Sequence, residues 1–545
     1  MKINRSLIAL FLIVLLGAAL RLFNLSSLPP SLNWDEVSHG YNAFSILKTG
    51  KDQWGQLLPV LNFRAYGDYP LPLNLYLTIP FIAALGLNEF SIRLPHAILG
   101  VGTIIAAYFL ARGLTKRKEI GLLASLLVAI DPWTLFTSRF VLQSNLSVFL
   151  LTTAAALFFN REKKKIFLPL SILSLGLTLY SYHTTRIVSP LILIAAIIIY
   201  WKEVKLSWIS TALIAAFLIP LPFIFLNPTA RVRSNVVFVL NDAATSKIIN
   251  QRQSSKLPPL VSKLVFNRPT YFVWTFLGNY LDYFSPEFLF QKGGTQYQFS
   301  VPDKGLLHLA SLPFFYIGLI WMVRKAKIKR EYQLIMAWLL LSPIPASITV
   351  DKFAVLRVTS MLPLPELLSA LGFFVALDHI KKMKWVLYLV FFITLAYGLE
   401  AYMASYITSY LKNYSWSWQY GYKEVVQHAK ENYDKYDKII VTKKYGEPHE
   451  FFLFYNAWDP QKYQSDPNAI RFFQSDWYWV DRFDKYFFVN DWQVKDMVTE
   501  SGIKIDCKKL KCLLITSPEN FPKGWTKIKE INFLDGKPAF EIYEN

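Results

Sequence analysis

Cysteine is nearly absent. The 545-residue chain has two, Cys507 and Cys512, too few for a cysteine-based metal set or a disulfide-built scaffold. Charge is thin as well, at 18% of residues. No Gly-x-Gly-x-x-Gly opens a helix and no P-loop occurs, so nucleotide binding by those routes has no support. No serine sits in a nucleophile elbow with a paired His and Asp, which leaves a serine-triad hydrolase little weight. No internal repeat is visible. Against these absences stands one abundance: 53% of the chain is hydrophobic and 16% aromatic. Apolar runs long enough to cross a bilayer recur along it, the mark of a polytopic membrane protein.

The first run, about 6–23, follows Lys2 and Arg5 as a signal peptide would. It has no convincing small-x-small cleavage site, because Ala18-Ala19 run into Leu20 and Arg21. It reads as an uncleaved first span. Further runs lie near 95–111, 120–137, 145–159, 166–182, 187–201, 207–226, 306–323, 332–349, 358–377 and 385–403, about eleven spans in all. The segment 69–87 is apolar but carries Pro70, Pro72 and Pro80. Read as interfacial or re-entrant rather than spanning, it lets every basic loop fall on one side: Lys2/Arg5, 112–118, 161–165, Lys202/Lys205, 324–330 and 381–384. Those loops hold most of the +20 net charge. The basic balance is then a positive-inside signal, and a nucleic-acid partner is not indicated.

This topology puts the amino terminus inside. The outer face receives the loop 24–94, the long loop 227–305, short corners near 138–144, 182–186 and 350–357, and everything after 403. The tail 404–545 is polar and aromatic. Residues 423–433 read as an amphipathic helix, and 438–442, 512–516 and 539–543 as strands, together an extracytoplasmic α/β domain behind a membrane domain of residues 1–403. Outside the membrane, Cys507 and Cys512 are expected to pair.

The polar residues that carry chemistry collect on the outer face. Leu32-Asn33-Trp34-Asp35-Glu36 sets two carboxylates behind an indole. An acidic helix N-terminus looks the same, with Ser31 or Asn33 as cap and the helix dipole favouring the acids. The functional reading is a carboxylate half-desolvated beside Trp34, a better base than one in water and suited to deprotonating an attacking hydroxyl. Asp68, in Tyr66-Gly-Asp-Tyr-Pro70, reads equally as a second acid or as a turn residue. Asp131 before Pro132 is either a helix cap or an ionisable group at membrane depth with a function. Arg139, Arg186 in Tyr180-Ser-Tyr-His183-Thr-Thr-Arg186, and Arg357 stand at outer corners against the positive-inside bias. Such arginines snorkel to the interface or hold an anion; three together favour a phosphate at the head-group plane.

In order, the chain presents a span, an outer Trp34-Asp35-Glu36, Tyr69-Pro-Leu-Pro-Leu73, Ser91-Ile-Arg-Leu-Pro95, Ser138-Arg139, Tyr182-His-Thr-Thr-Arg186 and Arg357 before the tenth span. This ordered set, over about 1–400, resembles the C-type membrane glycosyltransferases of glycosyltransferase family 39, relatives of protein O-mannosyltransferases and of the lipid A aminoarabinose transferase. The resemblance implies a polyprenyl-phosphate-linked sugar donor and a protein, glycolipid or cell-wall hydroxyl as acceptor. It implies Asp35 as general base, Glu36 positioning the acceptor or a divalent cation, and outer-corner arginines on the donor phosphate, with Trp34, Asp68, Asp131 and His183 in secondary roles. No metal-ligand set is indicated. Relatives with a second acid after the Ser-Arg corner have Asp where this chain offers Gln143 or Asn145, and Asp131 precedes Pro132 where many have Ser; Asp68 or Asp131 is then the replacement. One base and one displacement invert the anomeric centre. A flippase of lipid-linked sugars, which calls for polar groups at the midplane and inverted repeats, an adhesive domain on a helical anchor, and an oligosaccharide transferase are the rival readings.

Overall fold

The computed structural model describes residues 5–226 and 237–545; Lys2 of the inner-face charge and residues 227–236 of the long outer loop lie outside the described residues. The chain divides into two compact units, one of 1–21, 97–138 and 142–403, the other of 22–96, 139–141 and 404–545.

The first unit is helical. Among the described residues, five helices are long and apolar enough to cross a bilayer: Arg5–Leu22 (α1), Glu89–Thr115, Trp208–Leu226, Leu309–Ala326 and Lys384–Trp418. The bent pair Val355–Met361 and Leu364–His379, 54° apart, makes a sixth if taken as one span. Shorter apolar helices cover 143–159, 167–180 and 185–200. The hydrophobic runs of the sequence outnumber the long helices because proline breaks some of them, while others, such as Gln143–Phe159, form unbroken helices of 16–17 residues. The run near 120–137 stops at Ile130 and restarts at Pro132, with Asp131 extended between the two pieces (ψ 138°). The run near 332–349 likewise splits into Arg330–Leu341 and Ile344–Ser347.

Packing in this unit relies on small residues, as expected where lipid removes the hydrophobic drive between helices. A Cβ on Gly372 would stand 1.8 Å from the Phe314 carbonyl oxygen, and one on Gly318 2.0 Å from that of Leu368. The helices Leu312–Ala326 and Leu364–His379 therefore touch backbone to backbone. Arg21, fully buried at the end of α1, binds carbonyls through its terminal nitrogens: Nη1 donates to Ala129 O at 2.8 Å and Nη2 to Val128 O at 2.9 Å.

The second unit joins Trp34–Thr49 (α2) and Pro72–Leu85 (α3) to the tail. The sequence puts its boundary at residue 403, whereas this unit also takes in 22–96. At 14 residues, α3 is about 21 Å long, short of a roughly 30 Å hydrocarbon core. The tail forms a seven-stranded sheet of order β2-β3-β4-β1-β5-β7-β6. Its strands are β1 (Lys438–Thr442), β2 (Ile470–Gln474), β3 (Trp477–Phe483), β4 (Tyr486–Val489), β5 (Cys512–Thr516), β6 (Thr526–Asn532) and β7 (Pro538–Glu544). β1 runs parallel to β4 and β5, with Ile439 level with both Tyr486 and Leu513; the remaining pairs are antiparallel. The expected helix and three strands are present as Tyr422–Glu431, β1, β5 and β7.

Every residue of β5 is buried, as a parallel strand covered on both faces must be. On one face of the sheet the core extends to α2. Val37 and Tyr41, both 0% exposed, share one core with Phe451 and Phe452 of the helix Pro448–Tyr455 and with Val441 and Leu513 of the sheet. A Cβ on Gly40 would meet the Phe454 ring at 2.6 Å, so the two helices approach closely there.

Cys507 and Cys512 are disulfide-bonded, closing a small loop at the start of β5. Denatured, unreduced protein from its native membrane is therefore expected to resist alkylation at both cysteines until a reductant is added. Quantitative labelling without reduction would contradict the bridge.

Candidate active site

Helix α2 begins in a capping box. Asn33 Oδ1 accepts from Glu36 N at 3.0 Å, and Glu36 Oε2 accepts from Asn33 N at 3.3 Å. Neighbouring residues of a helix point about 100° apart, so the two carboxylates part company. Glu36 turns inward and is fully buried; Asp35 turns out and is exposed.

Glu36 is held on all sides. Its Oε1 accepts from Arg93 Nε at 2.9 Å and from Val141 N at 3.0 Å, and its Oε2 accepts from Arg93 Nη2 at 2.9 Å. The forked pair has no exposure on either side chain. The rest of the Arg93 guanidinium donates to the carbonyls of Leu25, Pro29 and Ser31 at 3.1, 3.0 and 2.6 Å. This pair thus ties the loop 25–31 to the start of α2. Acceptor or cation binding is the role the sequence suggests for Glu36; the structure engages both of its oxygens elsewhere. Among the described residues, no three His, Cys, Asp or Glu side chains are arranged to hold a metal ion.

Asp35 Oδ1 accepts a hydrogen bond from the Tyr66 hydroxyl. The sequence suggests half-desolvation by Trp34; instead the carboxylate is exposed, and the desolvated partner is Tyr66, 4% exposed. Burial, then the Asp35 charge, holds the Tyr66 phenol well above its ordinary range, so it remains a donor. The Tyr66 ring is set by two indoles. It stacks on Trp477 with centroids 5.4 Å apart at 26° and tilts against Trp34 at 6.1 Å and 60°. Trp477 Nε1 donates to Glu447 Oε1 at 2.7 Å. Two glycines let these rings close in: a Cβ on Gly67 would overlap Trp477 at 2.1 Å, and one on Gly446 (φ +117°) would overlap Trp34 at 1.9 Å. Behind them, His449 lies between two buried acids, with Nδ1 3.5 Å from Glu447 Oε2 and Nε2 3.4 Å from Glu450 Oε1. Burial raises the Glu447 carboxyl above its usual range, partly offset by His449. His39, buried at 2.8 Å from Thr78 Oγ1, is pushed down to about 3 by desolvation and stays neutral.

The remaining expected residues divide between the units. Asp68 is a turn residue: its carbonyl accepts from Ala65 N at 3.1 Å and its Oδ1 from Tyr69 N at 2.8 Å. Arg139 is 0% exposed, donates to the carbonyls of Phe23 and Leu28 at 2.5 and 3.3 Å, and lies over the Tyr406 ring. It is spent on the loop that leaves α1. Asp131, His183, Arg186 and Arg357 belong to the first unit. Asp131 makes no cap bond to its own helix; Oδ1 accepts from His308 N at 3.2 Å, and Oδ2 is buried with no partner among the described residues. His183 packs edge-on against Tyr182. Arg186 Nε donates to Leu179 O at 3.0 Å. Arg357 Nη2 pairs with Asp351 Oδ2 at 2.8 Å, while its Nη1 is buried without a partner among the described residues.

Four residues of the site escape a reading of the sequence. Arg93 sits inside the Ser91–Pro95 motif, and a lone arginine in an apolar helix demands a partner. Tyr66 is two residues from Asp68, the more conspicuous acid. Trp477 and Glu447 lie in the tail with no local signal.

The family model of dolichyl-phosphate-mannose-protein mannosyltransferases matches residues 11–238. Among solved structures, ArnT from Cupriavidus metallidurans in the apo state superposes with TM-score 0.53 at 10% identity, over 99% of this chain and 98% of that one. The chain has the fold of the C-type membrane glycosyltransferases. ArnT bound to undecaprenyl phosphate gives TM-score 0.52, also at 10% identity, over 99% of this chain and 97% of that one. The archaeal oligosaccharyltransferase AglB from Archaeoglobus fulgidus, in complex with an inhibitory peptide and a dolichol-phosphate, gives 0.52 at 15% identity over 83% of this chain. This chain spans 64% of AglB. An uncharacterized protein of Aquifex aeolicus is 28% identical over 136 residues, 24% of this chain and 26% of that protein.

Proposed function

We propose that this chain transfers a sugar from a polyprenyl-phosphate-linked donor to a hydroxyl acceptor with inversion, on the outer face of the cytoplasmic membrane. The observation that carries the reading is Asp35: an exposed carboxylate on the first turn of α2, held by a buried Tyr66 hydroxyl, in the segment that follows the first apolar helix. The acceptor oxygen attacks the anomeric carbon, Asp35 takes its proton, and the bond from that carbon to the donor phosphate breaks. The departing phosphate gains negative charge, which Arg186 and Arg357 neutralise. The Nη1 of Arg357, buried without a partner among the described residues, supports this, since a buried guanidinium nitrogen is stabilised by an anion. Arg139 and Glu36 act as positioning residues that hold the loop before α2. The tail lies outside the membrane and the amino terminus inside, as the distribution of basic loops favours.

The deciding experiment pairs deletion with reconstitution. Mass spectrometry of the cell-envelope glycans of a deletion strain is expected to lack one monosaccharide. Purified chain in liposomes should restore it to the isolated acceptor when given the polyprenyl-phosphate sugar. An unchanged glycan profile, or movement of lipid-linked sugar across the bilayer without transfer, would contradict the reading. Within the same assay, Arg186→Ala and Arg357→Ala should raise donor KM about ten- to a hundredfold, the worth of a charge-assisted contact to phosphate. A rise in acceptor KM alone would put the donor phosphate elsewhere.

A further inference from the structure

Three parallel strands of the tail end side by side, and the loops that leave their carboxyl ends line an open cleft of about 480 Å³. β1 lies between β4 and β5, so the chain passes to one side of it and then to the other. In open α/β sheets this crevice, outside the carboxyl ends where the strand order reverses, is where ligands bind. Lys444 enters from the loop after β1, Asp491, Trp492 and Lys495 from the loop after β4, and Glu519 and Asn520 from the loop after β5.

The polar floor is built in advance. Asp491 Oδ1 accepts from Thr442 Oγ1 at 2.9 Å and from Ser517 Oγ at 2.7 Å, and its Oδ2 lies 3.4 Å from Lys444 Nζ. Asn520 Nδ2 donates to the Asp491 carbonyl at 2.7 Å, locking the two outer loops together. One loop from each of the three strands thus converges on Asp491, whose side chain keeps 21% of its exposure. Beside it, Trp492 is 75% exposed.

The chemistry of the lining selects the ligand. Lys444 and Lys495 are balanced by Asp491 and Glu519, so the cleft has no net charge to collect a phosphate or an acidic polymer. Among the described lining residues there is no glycine-rich turn, and the helical piece they include is the three-residue turn Asp491–Gln493. A flat exposed indole next to fixed carboxylate, amide and ammonium groups suits a neutral molecule with one apolar C–H face and a rim of hydroxyls. We infer that the cleft bounded by Trp492, Asp491 and Asn520 is a carbohydrate-binding site on the tail, separate from the Asp35 site.

The test reads binding without transfer, in the Asp35→Asn chain as well as the native one, so its outcome stands apart from the assignment of Asp35. Full-length chain in nanodiscs of phosphatidylcholine and phosphatidylglycerol is mixed with mannose, glucose, galactose, arabinose and their trisaccharides. Saturation-transfer NMR is expected to mark the ring C–H protons of at least one of them. Trp492→Ala should weaken that binding at least tenfold and Asn520→Ala several-fold, while Trp492→Phe retains most of it. Absence of transfer to every sugar in the set, or equal binding by Trp492→Ala, overturns the inference. Quenching of Trp492 by brominated lipid in the nanodisc would make the ring a membrane anchor and overturn it equally.

Discussion

Asp35→Asn is expected to leave a folded, membrane-inserted protein that transfers sugar at least a hundredfold more slowly. A positioned general base contributes roughly 10²–10⁴ in rate, and the amide removes the base while keeping an oxygen for the Tyr66 hydroxyl. The cost to stability is small because the side chain is exposed. Losing a charge at a helix N-terminus costs about 0.3–1 kcal/mol. The signature is therefore a collapse of kcat with little change in thermal unfolding. Tyr66→Phe should act in the same direction but less, about tenfold, since it frees the carboxylate without removing it. Transfer by Asp35→Asn at the native rate would remove Asp35 from the chemistry.

Glu36→Gln is expected to have the opposite character: loss of folded protein before any question of rate. The change leaves the Arg93 guanidinium uncompensated in a site with no exposure. Breaking a buried ion pair from one side costs about 3–5 kcal/mol, a large share of the roughly 5–15 kcal/mol that holds a typical domain. Arg93→Met alone should be as damaging, because it strands Glu36 and the carbonyls of Leu25, Pro29 and Ser31. The double variant should lose less than the sum of the two single losses, the mark of direct coupling. Yield from membranes and thermal unfolding followed by size-exclusion chromatography measure this. A Glu36→Gln protein as stable as the native one, with only its acceptor affinity altered, would return Glu36 to the acceptor.

These two carboxylates show where local information ends. Adjacent in sequence and alike in chemistry, Asp35 and Glu36 differ locally only in that Glu36 has the capping-box spacing from Asn33, which says nothing of a buried partner. Only the rotation of α2 on its Asn33 cap sends one to the surface and one to Arg93. The three outer-corner arginines are likewise equivalent as sequence. Arg139 proves to be committed to the carbonyls of Phe23 and Leu28, whereas Arg357 pairs with the carboxylate of Asp351.

By itself the sequence determined the features that composition and short-range pattern dictate. Long apolar runs mean membrane helices, because backbone groups in lipid must bond within the segment. The short apolar runs at 438–442 and 512–516 meant strands, and the ordered motifs meant the C-type fold. The tertiary structure alone decided how the long runs break at prolines and that residues 22–96 share a core with a sheet beginning some 400 residues later. It alone joined Asp35 and Tyr66 of the outer loop to Trp477 and Glu447 of the tail. Contacts of such separation leave no periodicity to read, since they depend on which faces meet once the elements have formed.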